Sequence, residues 1–216
     1  LTNTYELKKE LEKTGAIFQT TSDTEVIAYL IARERINSGS IEEAVKKVMN
    51  LLEGAYSLLI MSPNKLIAAR DKWGFRPLCM GKKDDAIVFA SETCALDTVN
   101  AKFERNIKPG EVFVIEQGKT KSITENCSDK SHLCIFEHIY FARPDSLIEN
   151  EVVHETRKRA GMFLAKQSPV KADIVIGVPD SGLSAAEGYA EYAKIPNQMG
   201  FVKNRYIART FIKPNQ

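Results

Sequence analysis

The chain has 216 residues, enough for one large domain or two small ones. Hydrophobic residues make up 44% and charged residues 27%, a globular composition that excludes a disordered chain. The 30 Lys and Arg against 28 Asp and Glu give a net charge of +2, so no broad basic field favours nucleic-acid binding, and the apolar runs are far shorter than the roughly 20 residues of a membrane span.

The four cysteines, at positions 79, 94, 127 and 134, show no CxxC spacing. The start of the sequence has no signal-peptide pattern, so a disulfide framework is not expected. We therefore predict a cytoplasmic protein whose cysteines behave as small buried hydrophobic residues.

The first fifty residues predict helices. Leu7 and Leu11 share one face of a helix over 3–13. Two capping-box patterns follow, at Ser22–Glu25 and Ser40–Glu43, and each precedes a segment with helical periodicity. We expect a helix to begin at each box.

After Gly54 the periodicity changes to that of short strands separated by turn residues. The predicted strands cover residues 55–61, 65–69, 77–80, 86–90 and 111–115. An antiparallel meander with a layer of helices packed on its sheet is the expected architecture. The polar residues 118–132 are predicted to form a linker.

A second pattern follows the linker. Residues 153–167 predict a helix, and 173–178 form an apolar run typical of a buried parallel strand. A tight turn at 179–182 then leads into an Ala-rich helix over 183–192. A strand, a Gly-containing turn and a helix form half of a βαβ unit. The fold class is therefore α+β followed by the opening of an α/β domain.

The turn at 179–182 is a candidate anion site. A helix N-terminus presents free N–H groups and partial positive charge. Ser181 adds a hydroxyl, Gly182 permits close approach of a ligand, and Asp180 suits a phosphate that carries Mg²⁺. The alternative is an ordinary N-cap, which the local sequence favours because Asp and Ser are preferred cap residues.

A basic segment at 201–211 contains Lys203, Arg205 and Arg209 with Tyr206 among them and no acidic residue. These side chains suit a phosphate-bearing ligand, and the alternative is a solvated loop. Together with the preceding turn, the segment indicates a polyphosphate or phosphosugar ligand.

Other candidates have structural alternatives. Asp23, in the first turn of a capped helix, either stabilises the helix dipole or pairs with the ammonium of an amino-acid substrate. Residues 70–77 predict a charged turn held by local ion pairs, and the aromatic segment 136–146 predicts packing. The histidines lack metal-ligand spacing and are expected to be surface or packing residues: His132, His138 and His154.

Motifs along the whole chain resemble, in their order, those of the glutamine-dependent amidophosphoribosyltransferases. They lie at residues 1–3, 20–25, 54–56, 74–78, 91–97, 109–111, 134–137, 139–146, 178–182, 203–206 and 209–212. The resemblance implies a partial N-terminal-nucleophile (Ntn) hydrolase-type glutaminase sandwich in 1–130. It implies a linker and the start of a type I phosphoribosyltransferase domain in 131–216. The family makes 5-phosphoribosylamine from phosphoribosyl pyrophosphate and glutamine, the first step of de novo purine synthesis.

The resemblance also implies roles for individual residues. Asp23 matches the residue that binds the α-amino group of glutamine, and Cys134 matches the first ligand of the [4Fe-4S] cluster present in one branch of the family. Matches to the phosphoribosyl pyrophosphate site are the loop residues Asp180, Ser181 (also expected near Mg²⁺) and Gly182, and the flexible-loop residues Lys203, Tyr206 and Arg209.

By the family pattern, the nucleophilic cysteine would precede Leu1 and the ribose-phosphate loop would follow Gln216. We therefore expect the chain by itself to be inactive in both half-reactions, and the strand at 173–178 to lack neighbours and leave its apolar faces uncovered. The implied partners are glutamine, phosphoribosyl pyrophosphate, purine nucleotides as inhibitors, and further copies in a homo-oligomer.

Two other functions stay open at this point. A phosphosugar-binding regulatory module would bind without turnover. A glutaminase of another amidotransferase, such as one that feeds sugar-amine synthesis, would have no need of the features at 179–182 and 203–211.

Overall fold

A computed structural model describes residues 1–128 and 130–206, so Arg209 lies outside the described residues. The chain divides into two compact units, Leu1–Cys134 and Ile135–Gln216. No helix within the described ranges is long and apolar enough to cross a membrane.

The predicted helices of the first unit are confirmed with small shifts in their ends. The helices are α1 (Thr4–Glu12), α2 (Asp23–Ile36), α3 (Ile41–Met49) and α4 (Thr93–Thr98), of which α4 was not predicted. Ser40 caps α3 as expected, because its Oγ accepts from the backbone N–H of Glu43 at 3.3 Å.

The capping box at the start of α2 forms only in part. Ser22 Oγ accepts from the N–H of Thr24 at 3.2 Å. In a complete capping box the carboxylate of Glu25 would accept from the N–H of Ser22. Instead it accepts from the N–H groups of Gln19 and Thr20, at 3.0 and 2.8 Å. The result is a fixed loop in front of Asp23 rather than a symmetrical cap.

Seven strands form two antiparallel sheets. The strands are β1 (Ser57–Met61), β2 (Lys65–Arg70), β3 (Cys79–Lys83), β4 (Ala86–Ala90), β5 (Lys102–Asn106), β6 (Val112–Glu116) and β7 (Lys119–Ile123). The orders are β1-β2-β6-β7 and β4-β3-β5. The predicted antiparallel pairing is confirmed, but the arrangement is not a simple meander, because β2 pairs with β6 rather than β3.

The predicted linker over 118–132 is wrong at its start, where β7 lies. Gln117 and Gly118, with φ of 48° and 76°, form a two-residue loop that pairs Glu116 with Lys119. Positive φ at both loop positions is the geometry of the tight hairpins that match strand twist. The polar composition of β7 hid this strand, because an edge strand need not be apolar.

A buried carboxylate links the strands that the sequence did not predict. Glu111, 1% exposed, accepts from Arg105 on β5 at 2.7 Å and from Ser122 on β7 at 2.6 Å. Burial raises the pKa of Glu111, but the hydrogen bonds from Arg105, Ser122 and the N–H of Lys108 outweigh it and lower the pKa overall. The carboxylate therefore stays charged and connects β5 of one sheet to β7 of the other.

Alternating side chains on the strands define four layers in the first unit. Ile67 and Ala69 pack against α1–α3, whereas Ala68 and Phe113 pack against residues of the second sheet. On the far side of that sheet, Leu96 of α4 packs on Cys79. Since successive strand residues point to opposite faces, these three clusters require a helix–sheet–sheet–helix sandwich.

The second unit has fewer regular elements. They are a π-helical turn (Glu137–Phe141), the short strands β8 (Leu147–Ile148) and β9 (Glu151–Val152), and the helices α5 (Val153–Gln167) and α6 (Gly182–Ala193). Both helices occupy the predicted positions. Arg157 of α5, 4% exposed, holds the π-helical turn by donating to the carbonyls of His138 and Ala142, at 2.5 and 2.9 Å.

The predicted strand at 173–178 is parallel to its neighbour but is not buried. It makes a single parallel bridge, between Val175 and Asn197. Its apolar side chains are 41%, 37% and 66% exposed at Ile174, Ile176 and Val178. The sequence predicted a strand buried inside a parallel sheet. Among the described residues only the segment around Asn197 pairs with it, so its apolar side chains stay exposed.

Two glycines let α5 and α6 pack very closely. A Cβ atom added to Gly161 would lie 1.9 Å from the carbonyl oxygen of Ala185, and one added to Gly188 would lie 1.9 Å from that of Lys158. Both distances are far inside van der Waals contact, so the backbones touch at these points. This contact fixes the position of the first turn of α6 relative to α5.

Replacing Gly188 by Ala should separate the two helices. Overpacking costs about 1–3 kcal/mol, and it opposes the roughly 1 kcal/mol gain in helix propensity. We expect faster amide hydrogen exchange throughout α5 and α6. Gly182→Ala is the matched control, because its Cβ would meet only Val178 at an ordinary 3.8 Å. Equal protection in Gly188→Ala and the unchanged protein would contradict the close packing.

Candidate functional site

The carboxylate of Asp23 lies at the start of α2 and accepts from the amino group of Leu1 at 2.9 Å. A hydrogen bond from this ammonium lowers the pKa of Asp23, and burial opposes the shift only in part. The side chain remains 44% exposed. Asp23 is thus a charged carboxylate that is accessible to a ligand.

The segment that presents Leu1 to Asp23 is docked on the chain after α3. The N–H of Thr2 donates to the carbonyl of Glu53 at 2.9 Å, and Asn3 Oδ1 accepts from the N–H of Glu53 at 3.1 Å. Gly54 has a φ of +113°, and a Cβ there would lie 3.2 Å from Leu1 Cα. Residues 1–3 therefore contact both Asp23 and the segment at Gly54, which belong to two motifs that are distant in sequence.

The predicted charged turn at 70–77 is confirmed, and hydrogen bonds between its charged side chains and main-chain groups hold it. Asp71, 1% exposed, accepts from the N–H groups of Trp73 and Phe75 at 2.9 and 3.1 Å. Arg70, equally buried, donates to the carbonyls of Gly74 and Ile107, both at 2.8 Å. Buried charges need such partners, and here the backbone supplies them.

Cys134 lies beside this turn and is half-buried. Its N–H donates to the carbonyl of Phe75 at 3.0 Å, and the N–H of His132 donates to that of Trp73 at 2.7 Å. Within 1–128 and 130–206 there is no group of three or more His, Cys, Asp and Glu side chains that could hold a metal ion. Those residues by themselves therefore do not form a complete ligand set for an iron–sulfur cluster.

In the second unit, the turn at 179–182 leads into α6 without a side-chain cap. Ser181 occupies the N-cap position, but its side chain makes no capping hydrogen bond. The N–H of Gly182 donates to the carbonyl of Val178 at 3.1 Å, and the peptide bond between Pro179 and Asp180 is cis. Ser181 therefore lies at the N-cap position that the local sequence favours, but its side chain does not cap the helix.

Lys203 is the predicted loop residue that the structure brings to this turn. Its Nζ lies 2.7 Å from Asp180 Oδ2. Tyr206 is fully exposed, and its N–H donates to Asn204 Oδ1 at 3.0 Å, so its side chain does not approach the turn. Arg209 is outside the described residues.

A cavity of about 540 Å³ borders the turn, and the sequence did not indicate its other walls. His154 Nδ1 lies 3.0 Å from the buried Ser184 Oγ. His154 was expected to be a surface or packing residue, and only the contact between α5 and α6 shows that it reaches this place. The lining residues are Pro144, His154, Gly177, Asp180, Leu183, Ser184, Glu187, Asn197, Gln198 and Met199.

Comparison with known proteins gives the class to which this fold and site belong. Residues 1–98 match the family model described as a glutamine amidotransferase domain. They include Asp23, the segment docked on it, and the turn built by Arg70 and Asp71. The first unit is therefore a glutamine amidotransferase domain portion.

Relatives of one kind match the whole chain. An amidophosphoribosyltransferase from Bacillus subtilis is 47% identical over 216 residues, which are 100% of this chain and 45% of the relative. One from Methanocaldococcus jannaschii is 45% identical over 231 residues, covering 100% of this chain and 49% of the relative. A plant relative, from Vigna aconitifolia and named as chloroplastic, is 47% identical over 97% of this chain and 43% of its own.

Solved structures agree with these relatives. A structure of glutamine phosphoribosylpyrophosphate amidotransferase from B. subtilis, complexed with ADP and GMP, matches with a TM-score of 0.89 at 48% identity. The match covers 100% of this chain and 47% of that one. The chain is similar along its whole length to amidophosphoribosyltransferases, which are named as enzymes, and it spans about half the length of these relatives.

The buried turn gives a test of how the first unit is held together. Asp71→Asn replaces one of two accepting oxygens by an amino group that faces N–H donors. Losing hydrogen bonds to a buried charge costs about 1.5–3 kcal/mol. We expect that loss in the free energy of urea unfolding, with a changed emission from Trp73, the only tryptophan. The exposed Asp85→Asn is the control, and equal stability of both variants would refute the role of Asp71.

Proposed function

We propose that the chain supplies the glutamine-recognition and pyrophosphate-recognition parts of an amidophosphoribosyltransferase. The reaction joins ammonia released from glutamine to phosphoribosyl pyrophosphate and yields 5-phosphoribosylamine, as the first step of de novo purine synthesis. The observation that carries this proposal is the exposed carboxylate of Asp23 at the start of α2, within the residues that match the glutamine amidotransferase domain model. Similarity to amidophosphoribosyltransferases supports it along all 216 residues.

Asp23 would recognise the end of glutamine that does not react. Its carboxylate is 44% exposed and accepts a hydrogen bond from the nitrogen of Leu1 at 2.9 Å, so it can bind a nitrogen donor. The N-terminus of α2 adds partial positive charge, which keeps the carboxylate ionised. A glutamine residue within a peptide has no α-ammonium, so this contact favours free glutamine as substrate.

The sandwich of two sheets between helix layers supports an Ntn hydrolase-type glutaminase in the first unit. In such an enzyme a terminal cysteine attacks the amide, and its own amino group serves as the base. We assign this nucleophile to none of the described residues, because none of the free cysteines lies at a chain terminus.

The second unit would bind the pyrophosphate group of phosphoribosyl pyrophosphate at the turn before α6, as the start of a type I phosphoribosyltransferase domain. Backbone N–H groups at a helix N-terminus bind anions, and Gly182 allows close approach. The carboxylate of Asp180 and the hydroxyl of Ser181 are hard oxygen donors that fit Mg²⁺, which would neutralise charge on the pyrophosphate. Lys203 adds a mobile cation, and Tyr206 and Arg209 are proposed to follow it in a closing loop.

The nucleotide and assembly roles are also proposals. The relative solved with ADP and GMP supports purine nucleotides as inhibitors that place a phosphate at the same turn. A homo-oligomer and a cytoplasmic location stay predictions. The alternative of another glutaminase loses support, because relatives named amidophosphoribosyltransferase match the whole chain.

Asp23→Asn tests glutamine recognition in the intact protein. The ammonium would lose its charged partner, a loss of about 1.5–3 kcal/mol. We expect kcat/KM for glutamine to fall about ten- to hundredfold while synthesis from ammonia is unchanged. Asp85→Asn, an exposed acid in the hairpin between β3 and β4, is the control for net charge. An equal loss with both nitrogen sources would rule out this role.

We also propose that Cys134 provides one thiolate to a [4Fe-4S] cluster. The structure holds Cys134 through the turn at Phe75, so its position is defined. In the intact protein, Cys134→Ser should remove bound iron and the visible absorbance of the cluster. Cys127→Ser is the matched control, since both thiols are half-buried. An intact protein that is colourless and free of iron before mutation would disprove the proposal.

A further inference from the structure

Lys203 and Asp180 form a contact whose two partners are 23 residues apart in sequence. Their side chains are 59% and 65% exposed, and the ammonium lies 2.7 Å from the carboxylate. The pair joins the segment 201–206 to the turn before α6. Exposed ion pairs are weak, so this contact opens at small cost.

The contact leaves the turn in a state that is poorly suited to an anion. While Lys203 binds Asp180, its ammonium cannot neutralise a phosphate. If Lys203 leaves by itself, the carboxylate of Asp180 repels the same phosphate. Glu187, the other acidic residue that lines this cavity, forms an ion pair with Lys158 at 3.0 Å, so its charge already has a partner.

We propose that the ion pair between Asp180 and Lys203, here called the latch, opens when magnesium-bound pyrophosphate binds at this turn. This proposal rests on the function proposed above. Asp180 exchanges the ammonium for Mg²⁺, and the released Lys203 binds the anion. Because Lys203 begins the basic segment, the exchange draws 201–206 onto the ligand. Free pyrophosphate, which brings no cation for Asp180, leaves the latch closed.

The closed latch is tested without any ligand by the rate at which acetic anhydride acetylates lysines of the full chain. The side-chain amino group of Lys203 should be acetylated several-fold more slowly than that of the exposed Lys171. Asp180→Asn should remove the protection, and Asp173→Asn, an exposed acid in the same unit, should leave it intact. An equal rate at Lys203 in the unchanged protein and in Asp180→Asn overturns the latch.

The exchange is tested by calorimetric titration of the full chain with pyrophosphate, with and without Mg²⁺. Without Mg²⁺, Asp180→Asn should bind pyrophosphate about fivefold more tightly, because Lys203 is free and the repulsion is gone. With Mg²⁺, the unchanged protein should gain affinity and Asp180→Asn should gain much less. Asp173→Asn is again the control for net charge.

The same titration in a Lys203→Met variant distinguishes the latch from simple repulsion of the anion by Asp180. In Lys203→Met, the benefit of adding Asp180→Asn should be clearly smaller than fivefold, since the repulsion is removed but no ammonium is left to release. A full fivefold benefit in that background means that Asp180 acts by repulsion alone and overturns the exchange. If no variant binds pyrophosphate under either condition, the proposed pyrophosphate site and the exchange are both wrong, whatever the acetylation rates show. If binding follows Mg²⁺ but Lys203 is never protected, only the latch is wrong.

Discussion

Two buried charges at the end of β2 organise one end of the first unit. Arg70 and Asp71 are each 1% exposed, and such groups are costly unless every charge finds partners. Their partners are main-chain groups: those of the turn itself and, from a segment far away in sequence, the carbonyl of Ile107. In addition, the N–H of Gly110 donates to the main-chain carbonyl of Asp71 at 2.9 Å. The loops at this end are therefore set by the requirement to satisfy two charges.

The linker depends on the same turn. A Cβ on Gly110 would lie 2.2 Å from the carbonyl oxygen of Asn126, so the chain leaving β7 passes directly over this residue. It then reaches the carbonyls of Trp73 and Phe75, to which His132 and Cys134 donate. The position of Cys134 thus follows from buried charges more than sixty residues earlier, which no local pattern around Cys134 indicates.

This dependence shows which parts of the structure were predictable. Helices α2, α3, α5 and α6 followed from caps and periodicity, because those signals lie within each segment. The strands β5 and β7 were missed because a remote residue holds them: both contact Glu111, which precedes β6. At the sites, helix-start patterns and then the family motifs singled out Asp23 and the turn before α6, and their roles stay predictions. The contact of Lys203 with Asp180 and the approach of His154 to Ser184 depend on packing between distant segments, which periodicity does not encode.

Each unit places an exposed carboxylate at the start of a helix, yet the roles that we propose for the two carboxylates differ. The ligand proposed for Asp23 carries an α-ammonium group of its own, so in that proposal the carboxylate is a recognition group. At Asp180 an ammonium is already present, that of Lys203, and the proposed anionic ligand must compete with the carboxylate for it. In these proposals, an exposed carboxylate therefore favours binding in the first unit and resists it in the second until another cation takes the place of the lysine.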